Sequence, residues 1–316
     1  MTRRATPIEW LVFLALACAW GSSYLFIKIG VETLTPLTLV AARVAIGAGV
    51  LALVMLITRQ SLPQRRAVYG HMVVVALLGI VIPFTLITWG EQSIDSGLAA
   101  ILNGTVPLFA IVLAAMVLHD EPITVNRLIG LAVGFAGLVV LTSPNLGSGP
   151  GGTLPGVLAL IGSSISYAAA GVYARHTVSD VPPLTNAFLE VGFAAVITLL
   201  LALAFGNPFA TRVEASTVLS VLWLGLIGSG LAFLAFFFLL GRWGATRTSL
   251  VAYLMPVVGV VLGVLVLRES VSVPVLVGMG LIIAGVAVAN SQFGQRRLLG
   301  RRAPPTAAAP EVGRTP

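Results

Sequence analysis

Apolar runs of about 20 residues recur along almost the whole of this chain, and that feature narrows the folds open to it more than any other. At 1.5 Å of rise per residue, each run is long enough as a helix to cross a hydrocarbon core roughly 30 Å thick. The approximate spans are 8–30, 37–57, 71–92, 96–118, 126–143, 155–175, 184–205, 217–240, 246–267 and 273–290, and nearly all the connections are short. The runs are continuous rather than alternating with period two, which argues against the strands of roughly 10 residues found in outer-membrane barrels. With 58% hydrophobic and 9% charged residues and a mean hydropathy of +1.03, a soluble domain of this length would expose apolar surface to water. The predicted fold class is all-α and integral to the membrane, with ten transmembrane helices and the lipid bilayer as an obligatory partner.

A net charge of +7 and a pI near 10.5 would suit a nucleic-acid binder, but the basic residues scatter over helix ends and loops instead of forming one soluble face. No nucleic-acid partner is expected. Alternate segments collect Arg3 and Arg4, then Arg59, Arg65 and Arg66, then Arg127, Arg175, Arg242 and Arg247, and finally Arg296, Arg297, Arg301, Arg302 and Arg314. The opposite side receives chiefly Lys28, Arg212 and Arg268. The positive-inside rule therefore predicts both termini on the cytoplasmic side of a bacterial cytoplasmic (inner) membrane, in agreement with an even helix count. The single cysteine, Cys18, permits no intrachain disulfide and reads as a packing residue. Leu16-Ala17-Cys18 is similar to a lipoprotein cleavage box, but cleavage there would remove half of a helix that the repeat below requires. Residues 291–316, rich in Arg, Pro and Ala, read as a disordered basic cytoplasmic tail.

The two halves resemble each other at an offset of about 147 to 149 residues. Pro36-Leu37-Thr38 matches Pro183-Leu184-Thr185, which sets Trp20 opposite Tyr167 and Lys28 opposite Arg175. Gly79 matches Gly228, Pro107 matches Pro256, and Glu121, Thr124, Gly130 and Gly137 match Glu269, Ser272, Gly278 and Gly285 with spacing preserved. The expected organisation is a first repeat over 1–145, a second over 146–290, and the tail. Five helices per repeat is odd, so the second repeat enters the membrane from the opposite side. Inverted repeats place a binding site near the midplane and expose it to each side in turn.

Ala19-Trp20-Gly21-Ser22 in the first helix, Arg43 in the second, the stretch from Ser96 to Pro107, and the two Glu…Gly…Gly segments resemble the drug/metabolite transporter superfamily in its ten-helix form with two EamA-type repeats. The resemblance covers roughly residues 8–290. It implies a secondary transporter of a small molecule, and the layout is similar to bacterial exporters of aromatic and other amino acids. The alternatives are a carrier of nucleotide sugars or other phosphorylated metabolites, and a proton-coupled drug exporter. The last is disfavoured because small multidrug members use a membrane-embedded glutamate in helix 1, where this chain has only Glu9 at the start.

The resemblance also implies a central cavity lined by helices 1, 3, 4, 6, 8 and 9. Helical spacing puts Trp20, Ser23, Tyr24 and Ile27 on one stripe of helix 1, and Thr85, Thr88, Trp89 and Gln92 on one stripe of helix 3. Helix 4 adds Asn103, helix 6 adds Ser163, Ser166 and Tyr167, helix 8 adds Phe233, Phe236 and Phe237, and helix 9 adds Thr248, Ser249 and Tyr253. The candidate substrate-binding set is Trp20, Ser23, Tyr24, Thr85, Thr88, Trp89, Gln92, Asn103, Ser163, Tyr167, Phe237 and Tyr253. Aromatic walls suit an apolar or aromatic amino acid, with a few polar groups to hold its ammonium and carboxylate. Against this stand simpler roles: Ser and Thr often bond back to their own helix, and Trp or Tyr near a span end can belong to an interfacial belt. Backbone breaks are expected near Gly21, Pro83, Pro107 and Pro256.

Ionisable residues within the spans are chiefly Lys28, Arg43, Glu91 and Glu190. Lys28 can snorkel. Arg43 and Glu190, at matching repeat positions but two turns from opposite surfaces, are read as structural and not as an ion pair. Glu121 and Glu269 are expected to cap the helices they precede, the fifth and tenth. Glycine faces on helices 5, 9 and 10 allow close helix packing, so the chain is a monomer or, through helices 5 and 10, a homodimer. There is no His-Glu-x-x-His motif, no paired intramembrane aspartate, no Ser–His dyad and no phosphate-cradling loop, so neither catalytic residues, metal nor cofactor are expected.

Overall fold

The computed structural model of the chain describes residues 6–117, 123–143, 153–206, 214–243, 248, 250–290 and 297–299. Its apolar helices are α1 (Pro7–Gly30), α2 (Pro36–Thr58), α3 (Arg66–Gly90), α4 (Ser96–Val117), α5 (Val125–Thr142), α6 (Leu154–Thr177), α7 (Pro183–Gly206), α8 (Ala215–Trp243), α9 (Val251–Leu267) and α10 (Val273–Asn290). The first eight are at least 18 residues long and apolar enough to cross a membrane. The protein is an all-α multi-pass membrane protein of about ten helices, five before residue 143 and five after 153. The third helix starts at Arg66, five residues before the expected 71, because Arg65 to Val68 already turn helically ahead of the apolar run.

Local chemistry sets several helix starts. Thr6 and Glu9 close a capping box around Pro7, and Thr35 and Thr124 accept from the backbone N–H groups of Thr38 and Arg127. Proline in the first turn of α2, α6 and α7 costs nothing there, since its missing N–H would be unpaired anyway. The α2 and α9 helices end on Arg59 and Arg268, each with positive φ (50° and 57°).

The expected breaks fall in three of four places. The α1 helix is interrupted at Ser22, directly after Gly21. The α4 helix is interrupted at Gly104 and Thr105, two residues before Pro107. Ahead of Pro83 the chain widens into a π-helical segment, Leu77–Val81, and the regular helix resumes at Ile82 with the proline in its first turn. Pro256, by contrast, sits inside a continuous α9.

The α5 and α10 helices lie against each other, and their glycines make this possible. A methyl group on Gly285 would stand 2.5 Å from the Gly134 nitrogen and 2.6 Å from the Gly130 oxygen; one on Gly137 would stand 2.8 Å from the Ile282 nitrogen. The glycine faces of α5 and α10 therefore pack on each other within one chain. Around the core, α2 packs on α7 and α8, α3 on α6, and α4 on α9. Large apolar side chains such as Leu56, Phe205, Leu265 and Met116 remain exposed, as they must on a surface solvated by lipid. Cys18, expected as a packing residue, lies on this exposed side of α1 with Leu11 and Leu14.

A two-residue strand, β1 (Ile123–Thr124), pairs antiparallel with β2 (Arg297–Leu299), so the connection before α5 and the segment after α10 meet at one end of the bundle. The rest of the expected tail, and Glu121, lie outside the described residues.

Candidate functional site

The two halves build the centre of the bundle with matching parts. A π-helical segment occurs in α3 (Leu77–Val81) and another in α8 (Trp223–Leu231), around Gly79 and Gly228. Such segments leave carbonyls off the regular i to i−4 ladder, and each here is met by a donor from a neighbouring helix. The Trp20 Nε1–H of α1 donates to the Gly228 oxygen at 3.2 Å, and the Ser166 hydroxyl of α6 donates to the Leu78 oxygen at 2.7 Å. Space beside the two glycines is taken by equivalent positions. Ser23 and Arg43 stand against Gly228, and Ala170 and Glu190 against Gly79.

Within this frame lies a buried polar cluster. Arg43 is 4% exposed, donates from Nε to the Ser229 hydroxyl at 3.4 Å, and stacks its guanidinium 4.3 Å from the centre of the Phe84 ring. Tyr24, Tyr167 and Glu91 all lie within electrostatic reach of Arg43, and the Tyr24 hydroxyl meets the Asn103 side chain. Tyr167 packs at the junction of two apolar clusters: one holds Tyr24, Ile87 and Leu160, the other Phe84, Ile80 and Val191. Several buried polar atoms here have no hydrogen-bond partner: Thr85 Oγ1, Thr88 Oγ1, Asn103 Oδ1, Ser163 Oγ, Ser96 Oγ and both Glu91 carboxylate oxygens. Orphaned polar atoms in a buried cluster mark a place where a ligand's polar groups can be received.

Of the residues expected at the site, Tyr24, Thr85, Thr88, Asn103, Ser163 and Tyr167 face this interior. Trp20 and Phe237 belong to the aromatic wall beside it: Trp20 packs on Phe233 and Phe236, and Phe237 on those same two rings. Tyr253 lines a small pocket with Gly104, Pro107 and Pro256. Ser23 is buried but bonds back to the Ala19 oxygen at 3.1 Å, the local role open to any helical serine. Trp89 is 47% exposed and Gln92 is also exposed, apart from the cluster. The α3 helix ends at Gly90, so the 3.6-residue stripe drawn through Thr85 and Thr88 does not continue to Gln92. Thr248 is buried, and Ser249 lies outside the described residues.

Arg43, Glu91 and Glu269 carry more of the site than their spacing suggested. Arg43, read as structural, lies in the middle of the cluster against Ser229 and Phe84. Glu269, expected to cap α10, instead accepts from the backbone N–H groups of Ser96 (2.7 Å) and Gly97 (2.9 Å) at the start of α4. The reason is local: Asp95 precedes α4 but caps nothing with its side chain, and Gly97 and Gly263 leave room for the incoming carboxylate. Lys28 does not snorkel freely but donates from Nζ to the Glu91 and Ile94 oxygens, 2.7 Å each. Burial of the Asp95 carboxyl, and secondarily the nearby Glu269, push it above its ordinary value against the pull of Lys28.

At the opposite end of the bundle, Glu9 is 2% exposed and accepts from Trp243 Nε1 (3.0 Å) and Arg242 Nη1 (3.3 Å). Each end thus has a carboxylate joining the first half of the chain to the second. Among the described residues, no group of three or more His, Cys, Asp or Glu is placed to hold a metal ion.

The sequence profile of the EamA-like transporter family matches the chain twice, over residues 8–143 and 154–291. The chain is 32% identical over 291 residues to the uncharacterized inner membrane transporter YedA of Escherichia coli, covering 90% of this chain and 91% of that protein. It is 25% identical over 289 residues to the uncharacterized transporter YoaV of Bacillus subtilis, covering 91% and 98%. A solved crystal structure aligns with 93% of this chain and 100% of its own at a TM-score of 0.66 and 22% identity, a likeness of fold alone. Ten apolar helices in two fivefold sets, matched π-helical segments around a buried polar centre, and these similarities agree: the chain belongs to the EamA-like transporter family.

Proposed function

We propose that this membrane transporter moves a small zwitterionic metabolite, foremost an amino acid with an aromatic or apolar side chain, outward across the bacterial cytoplasmic membrane by alternating access between its two halves. The observation that carries this reading is a buried guanidinium, Arg43, set among aromatic rings. A guanidinium in a low-dielectric pocket is a strong receiver for one carboxylate. Phe84, Tyr24, Tyr167 and the Trp20–Phe233–Phe236 wall offer contact area to an apolar side chain. Both termini are placed on the cytoplasmic side in this reading, by the distribution of arginines. Oligomeric assembly, if any, uses a surface other than the glycine faces of α5 and α10.

Carriage of phosphorylated metabolites is the second reading, because Arg43 also suits a phosphate. It is less favoured: a phosphate dianion calls for more than one cation, and the Lys28 ammonium already donates to two carbonyls. The test is counterflow in proteoliposomes, with unlabelled candidates inside and labelled phenylalanine or tryptophan outside. Entry faster than into empty vesicles, lost in Trp20→Ala or Asn103→Ala, is the expected result. Stimulation by phosphorylated compounds and by no amino acid would transfer the conclusion to the second reading.

A further inference from the structure

Glu91 lies one residue beyond α3 and is fully buried, yet neither carboxylate oxygen has a hydrogen-bond partner. The charged and titratable groups within its electrostatic reach are Lys28 and Tyr24 of α1, Arg43 of α2, and Glu269 ahead of α10. None of the charged ones is hydrogen-bonded to the Glu91 carboxylate. Lys28 Nζ donates to the Glu91 and Ile94 backbone oxygens rather than to the carboxylate, Arg43 is held by Ser229 and Phe84, and Glu269 accepts from Ser96 and Gly97. A carboxylate in such a place is tolerated only when neutralised or when a cation stands opposite it.

The surroundings favour a cation with several N–H groups. Thr88 lies one turn earlier on α3, and its buried hydroxyl is also unpartnered. Asn103 Oδ1 and Ser163 Oγ, from α4 and α6, are further acceptors without donors. Glu91 is the C-cap of α3, where the last carbonyls of the helix add partial negative charge.

We propose that Glu91 is the ammonium-binding pole of the substrate site, with Arg43 the pole for the carboxylate of the same molecule. This rests on the amino-acid reading above and adds to it a second, oppositely charged anchor. The site then selects molecules carrying both charges over those carrying one, because a ligand lacking the ammonium leaves Glu91 buried and unpaired.

Binding of labelled phenylalanine to the purified full chain in nanodiscs tests this, with 3-phenylpropanoate (no ammonium) and phenethylamine (no carboxylate) as competitors. Wild type is expected to bind phenylalanine about tenfold or more tightly than 3-phenylpropanoate. Glu91→Gln should erase that preference by weakening phenylalanine while leaving 3-phenylpropanoate unchanged. Thr88→Val, a milder change that keeps the charge, should weaken phenylalanine by about threefold and 3-phenylpropanoate not at all. Thermal unfolding of each variant shows whether it is folded; were Glu91→Gln unfolded, the Thr88→Val comparison decides. Undiminished preference for phenylalanine in folded Glu91→Gln overturns the assignment. If wild type binds none of the three compounds, the amino-acid reading itself falls, an outcome distinct from loss of the Glu91 role alone.

Discussion

The surroundings of Gly228 and Gly79 are built on one plan with different chemistry. Against Gly228 stand Ser23 and Arg43; against Gly79 stand Ala170 and Glu190, the residues 147 positions further along the chain. Both glycines lie in π-helical segments, and one backbone carbonyl in each segment accepts a side-chain hydrogen bond. The backbone plan is shared, but the charges are opposite. Arg43 has Tyr24, Tyr167 and Glu91 in reach, whereas Glu190 is half-buried and reaches Tyr167. Two homologous halves thus keep one backbone plan while placing different charges beside it, and the proposed site draws its asymmetry from that difference.

The shared plan is most exposed to Gly285→Ala, because the added methyl meets backbone atoms of α5 that cannot move independently. We expect a loss of about 3 kcal/mol, the upper range for overpacking, seen as a large drop in the detergent unfolding temperature. Near-wild-type unfolding would mean that the two halves do not rely on this contact. Next in size is Glu269→Gln, which replaces two charge-assisted bonds at the start of α4 by weaker ones; about 2 kcal/mol of stability should go with the charge.

The asymmetry between the halves is sharpened by Arg43→Gln beside Glu190→Gln. The first should cut substrate flux about tenfold or more, equivalent to about 1.4 kcal/mol, and the second by no more than about twofold. Equal losses would break the distinction drawn between the two positions. The smallest effect concerns Asp95. Its carboxyl is raised by burial, so the folded state binds a proton more readily than the unfolded chain, and ionisation costs stability as pH rises from the unfolded value through the folded one. Asp95→Asn should therefore be slightly stabilising at neutral pH, with the gain vanishing in acid, where wild-type Asp95 is itself neutral. A gain that persists in acid would assign the effect to something other than charge.

Much of the architecture was legible because it rests on local signals. Threonine and proline at helix starts, glycine and proline near the breaks in α1, α3 and α4, and the long apolar runs act over a few residues and were read correctly. Pro256 shows the boundary of that method, since α9 runs through it unbroken. In the buried cluster, Tyr24, Thr85, Thr88, Asn103, Ser163 and Tyr167 stand out by residue type, as polar groups do on an apolar helix. Gln92 leaves the stripe because periodicity assumes that the helix continues, and α3 stops at Gly90, whereas Trp89 is still helical but turns to the exposed side, 47% exposed. Glu269 was assigned to the nearest helix, although its partners lie 173 and 172 residues away in sequence.

The sequence alone determined that the chain lives in a membrane, that it crosses about ten times, and that its halves are related. Each of these follows from the free energy of placing apolar or polar groups in lipid, which depends on the segment itself. Only the tertiary structure decided that Arg43 is central, that Lys28 braces the turn from Glu91 to Ile94, that Glu269 caps α4, and that the Glu91 carboxylate is left without a partner. Those outcomes depend on which distant donor and acceptor meet when helices pack, and a hydrogen bond has no strength until both ends are in place.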